Sequence, residues 1–242
     1  MSAGTSRPSA VRKRVLLSWS SGKDSAWALH VLRQRGDVEL VGLVTTFNET
    51  ADRVAMHAVR RELVEAQAAS VGLPLLPVWL PWPCSNEIYE RLMLDLLHEA
   101  RRQGVTHVAF GDLFLEEVRD YRIRLLAGTG LEPLFPLWGT PADTPALARR
   151  MLDAGLRAVL TCVDPAQLDG RFVGRAFDAA LLAELPPSVD PCGERGEFHT
   201  FCTDGPMFAA PVAVRAGAVV QRDGFYFADL VPLRPGAGAA AQ

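Results

Sequence analysis

The segment S-S-G-K-D-S at residues 20–25 contains the residue types that proteins use to hold a phosphate chain. Ser20 and Ser21 offer hydroxyl donors. Gly22 lets the backbone approach a ligand closely, and Lys23 offers a point charge. The residues before the segment predict a strand and those after it predict a helix, so unpaired N–H groups and the positive end of the helix dipole would face the loop. The segment therefore predicts a phosphate site.

The spacing within this loop excludes the Walker A type of phosphate site. That type follows the pattern G-x-x-x-x-G-K-[ST], whereas here Leu17 stands at the first glycine position and Asp24 follows Lys23. A loop of another phosphate-binding class is therefore expected. The alternative is a Ser/Gly turn that opens an ordinary helix, with Asp24 as its cap.

Alternating apolar and helical stretches predict how this loop is held. The predicted strands are residues 15–19, 38–46, 73–80 and 106–111, and the predicted helices between them are at about residues 24–35, 57–71 and 86–103. Strands and helices that alternate in this way form a parallel sheet covered on both faces. Ligands bind beyond the carboxyl ends of such strands. The fold class is therefore predicted to be α/β.

The carboxyl ends of these strands bring further residues to the rim that carries the phosphate loop. Thr45 and Phe47 follow the second strand, and Gly111 and Asp112 follow the fourth. Phe47 could cover a base or belong to the core, and Asp112 could hold magnesium or cap a helix over residues 113–118. The candidate nucleotide contacts are Ser18, Ser20, Ser21, Gly22, Lys23, Asp24, Ser25, Thr45, Phe47, Gly111 and Asp112, with Asp24 and Asp112 as candidate Mg²⁺ ligands.

The pattern changes after about residue 140, where a Thr/Pro-rich connector begins. A helix, a strand at residues 156–163 and a helix at residues 174–184 precede the break at Pro186-Pro187. Residues 218–228 then alternate around Asp223-Gly224, which predicts a hairpin with a two-residue turn.

This change of pattern divides the chain into two predicted domains. We expect a nucleotide-binding domain at residues 14–140 and a smaller α+β domain, which would bind the substrate, at residues 141–232. Disordered tails are expected at residues 1–13 and at the Gly/Ala-rich residues 233–242.

A second dense group of chemically active residues lies in the C-terminal half. The run G-E-R-G-E-F-H-T at residues 193–200 contains two carboxylates, a guanidinium and an imidazole. Burying so many polar groups would be costly without a ligand. Phe198 and Phe201 tether the run to a core, so its polar groups are expected to be held in place as a functional site. A surface loop is the alternative.

Composition limits the class of protein. The chain has 242 residues, a net charge of −3 and 49% hydrophobic residues, which is ordinary for a globular protein with a substantial core. The negative charge gives no electrostatic reason to expect nucleic acid as a partner. We expect neither a membrane span nor a signal peptide, and therefore a cytoplasmic protein. The four cysteines form no C-x-x-C pair, which argues against disulfides and a zinc site.

The phosphate loop resembles that of the N-type ATP pyrophosphatases (the PP-loop superfamily), which has the motif S-G-G-x-D-S. These enzymes split ATP between the α and β phosphates, and their loop holds the departing pyrophosphate. Ser21 stands where the first glycine of the motif usually lies. A serine is tolerable there only if the residue does not need a positive φ.

Over about residues 14–232 the chain resembles the diphthine–ammonia ligase family (diphthamide synthetase, ATP-binding domain), a branch of those pyrophosphatases. The shared features beyond the loop are Met56-His57, Gly72-Leu73-Pro74, the Gly111-Asp112 turn, G-L-E-P-L at 130–134, P-L-W at 136–138 and the run at 193–200. The last motif is the most specific, because the phosphate loop is shared with argininosuccinate synthases, GMP synthetases and tRNA-modifying enzymes.

The resemblance implies an adenine-nucleotide alpha-hydrolase-like (HUP) domain with a parallel sheet, followed by a smaller C-terminal α+β domain. It implies an ATP- and Mg²⁺-dependent, AMP-forming amide ligase that adenylates a carboxylate and passes it to ammonia. The acceptor would be a small molecule or a modified protein side chain, which in archaea and eukaryotes is diphthine of elongation factor 2. The implied catalytic residues are Lys23, Asp24, Glu194, Glu197 and His199, and the implied substrate-binding residues are His57, Arg60, Gly193, Glu194, Glu197, His199 and Thr200.

Two other functions share the adenylating loop and stay open at this point. A tRNA-thiolation or tRNA-modification enzyme would want a catalytic Cys pair and a basic RNA face, and neither is evident. A non-catalytic adenine-nucleotide-binding regulator is disfavoured by the retention of Lys23 and Asp24. The sequence leaves the acceptor, domain closure and the oligomeric state open, a homodimer included.

Overall fold

The computed structural model describes residues 12–54 and 58–233, so His57 lies outside the described residues. The strands and helices in chain order are β1 (Lys13–Ser18), α1 (Lys23–Arg33), β2 (Val38–Asn48), β3 (Arg53–Val54), α2 (Arg61–Val71), β4 (Leu75–Leu80), α3 (Asn86–Arg102), β5 (His107–Ala109), α4 (Glu116–Leu126), β6 (Glu132–Leu134), α5 (Thr144–Asp153), β7 (Arg157–Val163), α6 (Ala179–Glu184), β8 (Phe198–Asp204), β9 (Val214–Arg222) and β10 (Phe225–Pro232).

The first sheet is mainly parallel. Strand β1 pairs in parallel with β2 on one edge and with β5 on the other, and β6 extends the sheet beyond β5. Strand β4 pairs in parallel with the C-terminal half of β2, and the short β3 pairs antiparallel with the last residues of β2. The predicted α/β fold with a parallel sheet is confirmed. The middle of β1 is buried, as its near-continuous apolar run requires of a central parallel strand.

The second sheet is antiparallel and has the strand order β8-β7-β10-β9. The predicted hairpin is confirmed, because Asp223 and Gly224 link β9 to β10 with φ values of 51° and 87°. A two-residue hairpin turn of type I′ requires positive φ angles at both of its central residues. This sheet and its short helices form the smaller, C-terminal α+β part of the fold.

Three predicted helices begin later than the sequence pattern indicated. Helix α2 begins at Arg61 rather than at residue 57, since Ala58 has a φ of 55°. Helix α4 begins at Glu116. Helix α6 begins at Ala179, where the Asp178 carboxylate accepts the Leu181 N–H over 2.8 Å as an N-cap. Residue 176 is instead bridged to β7.

The two sheets share one core. The largest cluster of buried apolar side chains includes Leu17 and Leu63 from the first half and Leu160 and Phe201 from the second. The division at residue 140 stays a prediction, and the halves on either side of it pack against each other directly. Across the residues described, no helix is long and apolar enough to cross a bilayer.

Candidate active site

A cleft of about 200 Å³ lies at the carboxyl ends of β1 and β5, against β8. It brings together three segments that the sequence analysis singled out: the phosphate loop, the Gly111-Asp112 turn and the run at residues 193–200. The lining residues are Ser18, Ser20, Gly22, Lys23, Asp24, Ser25, Phe110, Gly111, Asp112, Arg122, Gly193, Glu194, Phe198, His199 and Thr200. Segments from the N-terminal and the C-terminal halves of the chain therefore form one site.

The phosphate loop leads into the N-terminus of α1, as predicted. Helix α1 starts at Lys23, with Gly22 in an extended conformation before it. The Lys23 N–H donates to the hydroxyl of Thr200 on β8 over 3.1 Å. Within the loop, the hydroxyls of Ser20 and Ser25 lie 3.2 Å apart and Ser25 also donates to the Gly22 carbonyl over 3.0 Å. The loop thus has a fixed shape with its helix end towards the cleft.

The side chain of Gln67 ties this loop to the second sheet. Its amide nitrogen donates to the carbonyls of Ser21, over 3.0 Å, and Cys202, over 2.6 Å. Its amide oxygen accepts the Trp19 indole N–H over 2.9 Å. The Cys202 N–H also donates to the Ser21 carbonyl over 2.9 Å. Because Gln67 is fully buried, these bonds are shielded from water.

Ser21 has a left-handed backbone conformation, with a φ of 70°. The sequence analysis expected a serine to be tolerable at this glycine position only without a positive φ, and that condition is not met. The residue is completely buried, and its hydroxyl oxygen lacks a hydrogen-bond partner among the residues that the structure describes. Both features carry a free-energy cost, since side chains crowd the backbone in this region and buried hydroxyls need partners.

The ammonium group of Lys23 is held by residues from both halves. It contacts the two carboxylate oxygens of Asp24 at 3.0 and 2.8 Å and donates to the carbonyl of Cys192. Its nitrogen also lies 5.6 Å from the ring centroids of Phe177 and Phe198. Burial alone would lower the pKa of Lys23, but Asp24, Cys192 and Glu194 together raise it. Lys23 therefore stays positively charged.

The Gly111-Asp112 turn packs directly on the start of α1. A side chain at Gly111 would lie 3.0 Å from the backbone of Asp24, so the close approach needs glycine. The Asp112 carboxylate accepts the Nε–H of Arg122, on α4, over 3.3 Å. Asp112 does not cap a helix, because α4 begins at Glu116.

Arg122 is a cleft residue that the sequence analysis missed. Its guanidinium lies 5.0 Å from the centre of the Phe110 ring. Burial alone would lower the pKa of Arg122, but Asp112 and Tyr89 together raise it. No local motif distinguishes Arg122 from Arg119 and Arg124 on the same helix, so only the fold identifies it.

Glu194 carries a carboxyl group that titrates near neutrality. Its Oε1 accepts the N–H of Leu113 over 2.7 Å, which joins the run at residues 193–200 to the turn after β5. Burial raises the pKa of Glu194 to about 7, and the negative charges of Asp24 and Asp112 act in the same direction. The Leu113 N–H opposes this shift because it favours the charged carboxylate.

His199 also lines the cleft, beside Thr200. Burial lowers the pKa of His199 to about 4, and the positive charge of Lys23 adds to the effect. Its imidazole is therefore neutral at physiological pH.

Glu197 holds the backbone of its own loop. One carboxylate oxygen accepts the Asp190 N–H over 2.8 Å and the other accepts the Arg195 N–H over 2.9 Å. The Asp190 carboxylate in turn accepts the N–H groups of Cys192, over 2.9 Å, and Glu194, over 3.3 Å. Glu197 is 1% exposed and does not line the cleft. Its expected catalytic role stays a prediction.

Three further candidate residues lie away from the cleft. Thr45 is buried and donates its hydroxyl to the Trp19 carbonyl over 2.7 Å. Phe47 is fully buried in the core, which is the alternative that the sequence left open for this residue. Arg60 forms an ion pair with Asp229 on β10 at 2.7 Å. The nucleotide- and substrate-binding roles expected of these three residues stay predictions.

The two candidate magnesium ligands, Asp24 and Asp112, both line the cleft. Within residues 12–54 and 58–233, no group of three or more His, Cys, Asp or Glu side chains is placed to hold a metal ion by itself. Magnesium is commonly held by one or two carboxylates together with substrate phosphates. Two carboxylates that line one cleft, one of them within the phosphate loop, fit an ion that is shared with a nucleotide.

Comparison with known protein families agrees with this architecture. Residues 13–132 match the diphthamide synthase N-terminal domain, and residues 143–227 match the diphthamide synthase C-terminal domain. The chain therefore belongs to the diphthamide synthase family.

Relatives from several vertebrates match nearly the whole chain. Proteins named diphthine–ammonia ligase are 26% identical in Bos taurus and 28% identical in Homo sapiens, with 91% of this chain and 90% of each relative covered. The diphthine–ammonia ligase of Danio rerio is 27% identical and is covered over 94% of its length.

Proposed function

We propose that this chain is an ATP-dependent, AMP-forming amide ligase of the diphthine–ammonia ligase type. It adenylates a carboxylate and transfers the acyl group to ammonia. The observation that carries the proposal is the single cleft lined by both the phosphate loop and the run at residues 193–200. Membership of the diphthamide synthase family and the names of the relatives support the same reaction.

The phosphate chain of ATP would lie at the N-terminus of α1. The helix dipole, the loop hydroxyls and the charge of Lys23 all favour an anion there. Asp24 and Asp112 would hold Mg²⁺, which neutralises charge on the phosphate oxygens when bound. The acceptor would enter from the side of Glu194 and His199, on the opposite wall.

The proposed reaction has two steps. The acceptor carboxylate attacks the α-phosphorus, the bond to the β-phosphate oxygen breaks, and pyrophosphate departs into the loop. Ammonia then attacks the acyl carbon, and AMP leaves with the electron pair of the broken C–O bond. The nitrogen loses one proton, which a base in the cleft must accept.

Glu194 is better placed than Glu197 for this proton. Glu194 lines the cleft with a pKa of about 7, which suits a group that accepts a proton at neutral pH. Glu197 has both oxygens engaged by backbone N–H groups of its own loop. His199, which is neutral at that pH, would orient the acceptor or the ammonia.

Thiol chemistry, as in tRNA thiolation, is disfavoured at the three buried cysteines. Burial raises the pKa of Cys162 to about 12, and it raises those of Cys192 and Cys202 well above the ordinary thiol range. Such thiols are poor nucleophiles because the reactive species is the thiolate. We therefore retain amide ligation as the proposed function, in the cytoplasm, with free ammonia as the nitrogen source.

The test is product analysis of the purified protein with ATP, MgCl₂, ¹⁵N-ammonium and diphthine-bearing elongation factor 2. We expect AMP and pyrophosphate in equal amounts, together with an amide that carries ¹⁵N. A second assay with small carboxylic acids would measure carboxylate-dependent exchange of labelled pyrophosphate into ATP. Steady release of ADP and phosphate, or AMP formation that ignores every carboxylate, would reject the proposal.

A further inference from the structure

The cleft is lined by two permanently cationic side chains, Lys23 and Arg122, and their surroundings differ. The Lys23 side chain is 2% exposed, and its ammonium is shared between the Asp24 carboxylate and a backbone carbonyl. The Arg122 side chain is 23% exposed. Arg122 is therefore the more accessible cation for a ligand in the cleft.

The guanidinium of Arg122 has donors to spare. It donates through Nε to Asp112 over a long 3.3 Å, and it also hydrogen-bonds to the side chain of Tyr89 on α3. A guanidinium has five N–H donors. Among the described residues these donors have two partners, so some of the N–H groups remain available to a ligand. The central carbon of the group lies 5.0 Å from the centroid of the Phe110 ring, within the range of a cation–π contact.

The other charges of the cleft oppose an anionic ligand. Asp24, Asp112 and Glu194 all line it, and Lys23 and Arg122 at most balance the first two. A polyphosphate carries several negative charges and needs more than the one lysine that is already paired with Asp24. Arg122 supplies the missing donor group because its planar fork matches phosphate oxygens in a bidentate manner.

The position of Arg122 relative to the phosphate loop indicates which part of a bound nucleotide the Arg122 guanidinium would contact. Its ion-pair partner Asp112 directly follows Gly111, whose backbone packs on the start of α1. We infer that Arg122 binds the pyrophosphate portion of ATP and retains it as pyrophosphate after the bond to the α-phosphate has broken. This role, which rests on the proposed function, makes Arg122 a nucleotide-binding residue in addition to those of the loop.

Calorimetry of the full chain with ATP, AMP and inorganic pyrophosphate tests the inference. We expect Arg122→Gln to weaken ATP and pyrophosphate binding about tenfold or more, since charge-assisted bidentate bonds are lost, and to leave AMP binding nearly unchanged. Arg122→Lys keeps the charge but not the fork and should give an intermediate loss. The matched control is Arg124→Gln, an exposed arginine on the same helix, which should bind all three ligands as the parent protein does.

Pyrophosphate binding by Arg122→Gln that equals that of the Arg124→Gln control would overturn the inference. If Arg122→Gln does not fold, Arg122→Lys decides, and full pyrophosphate affinity in that variant overturns the inference as well. Unchanged ATP and pyrophosphate binding with a raised acceptor KM would assign Arg122 to the acceptor carboxylate instead. A parent protein that binds pyrophosphate through Arg122 but releases ADP would reject the proposed function and the retention step, and it would leave only the assignment of Arg122 to the β- and γ-phosphates of ATP.

Discussion

The backbone nitrogen of Lys23 and the hydroxyl of Thr200 are hydrogen-bonded at 3.1 Å although 177 positions separate them in the chain. One belongs to the first turn of α1 and the other to β8 of the second sheet. The phosphate end of the cleft and the run at residues 193–200 are therefore joined by a direct bond.

The first prediction concerns Lys23. We expect Lys23→Ala to weaken ATP binding far more than AMP binding, because the charge lies at the loop that would hold the β- and γ-phosphates. The variant leaves the Asp24 carboxylate without its cation, so a loss of stability is also expected. The double variant Lys23→Met/Asp24→Asn removes both charges, so it serves as the control for the loss of stability caused by an unpaired Asp24 carboxylate. Calorimetry that showed equal losses for both nucleotides would contradict this placement of the phosphates.

The second prediction concerns the conformation of Ser21. We expect Ser21→Gly to raise the free energy of unfolding by about 1 kcal/mol, because glycine adopts a φ of 70° without the crowding that a Cβ brings. Ser21→Ala is the comparison, since it removes the unpartnered hydroxyl but keeps the Cβ. Chemical denaturation of the three proteins measures the difference. A glycine variant less stable than the parent would show that the hydroxyl is needed.

The third prediction concerns the pH dependence of stability. The pKa of Glu194 is raised from 4.5 to about 7, so the folded protein keeps a proton that the unfolded chain loses at lower pH. The contribution of this group to stability is therefore complete below the unfolded pKa and is lost as the pH rises through about 7. It amounts to at most roughly 3 kcal/mol.

Glu194→Gln should remove this part of the slope, because an amide does not titrate. Denaturation midpoints measured between about pH 4 and about pH 8 would show it as a flatter profile than that of the parent. Glu117→Gln, on an exposed position of α4, is the matched control. Parallel profiles for the parent and Glu194→Gln would mean that the carboxyl group titrates normally.

The fourth prediction separates the two roles considered for Glu197. Because its oxygens accept two backbone N–H groups, Glu197→Gln places an amide donor against one of them. We expect a loss of about 1–3 kcal/mol in stability and little change in the turnover of the enzyme that remains folded. A catalytic role would instead leave the melting temperature and ATP affinity intact while abolishing amide formation. Melting temperature, ATP affinity and product yield on this one variant decide between them.

Local patterns were sufficient to predict the turn from β1 into α1, the parallel sheet and the hairpin at Asp223-Gly224. Each depends on residues that are close in sequence and on one periodicity. The run at residues 193–200 was found because its polar residues are dense. Which of its carboxylates faces the cleft was not predictable, since Glu194 and Glu197 differ only in what the folded chain places beside them.

Long-range contacts explain what the sequence analysis missed. Arg122 becomes a site residue only because α4 packs beside Asp112, and nothing in its own helix marks it. The positive φ of Ser21 arises where its carbonyl meets Cys202 and Gln67, which are distant in sequence. Thr45 and Phe47 were expected just after the second strand, but β2 extends to Asn48 and contains both, and their burial depends on the layers that cover the sheet.

The contacts of the Gln67 side chain have a consequence for chimeric proteins made from two relatives. It binds the phosphate loop through Ser21 and the second sheet through Cys202, from a helix that belongs to neither. The regions that match the N- and C-terminal family domains meet across these bonds. A chimera that joins the first half of one relative to the second half of another takes the loop from one parent and β8 from the other, so its stability would depend on whether Gln67 still reaches both backbone carbonyls.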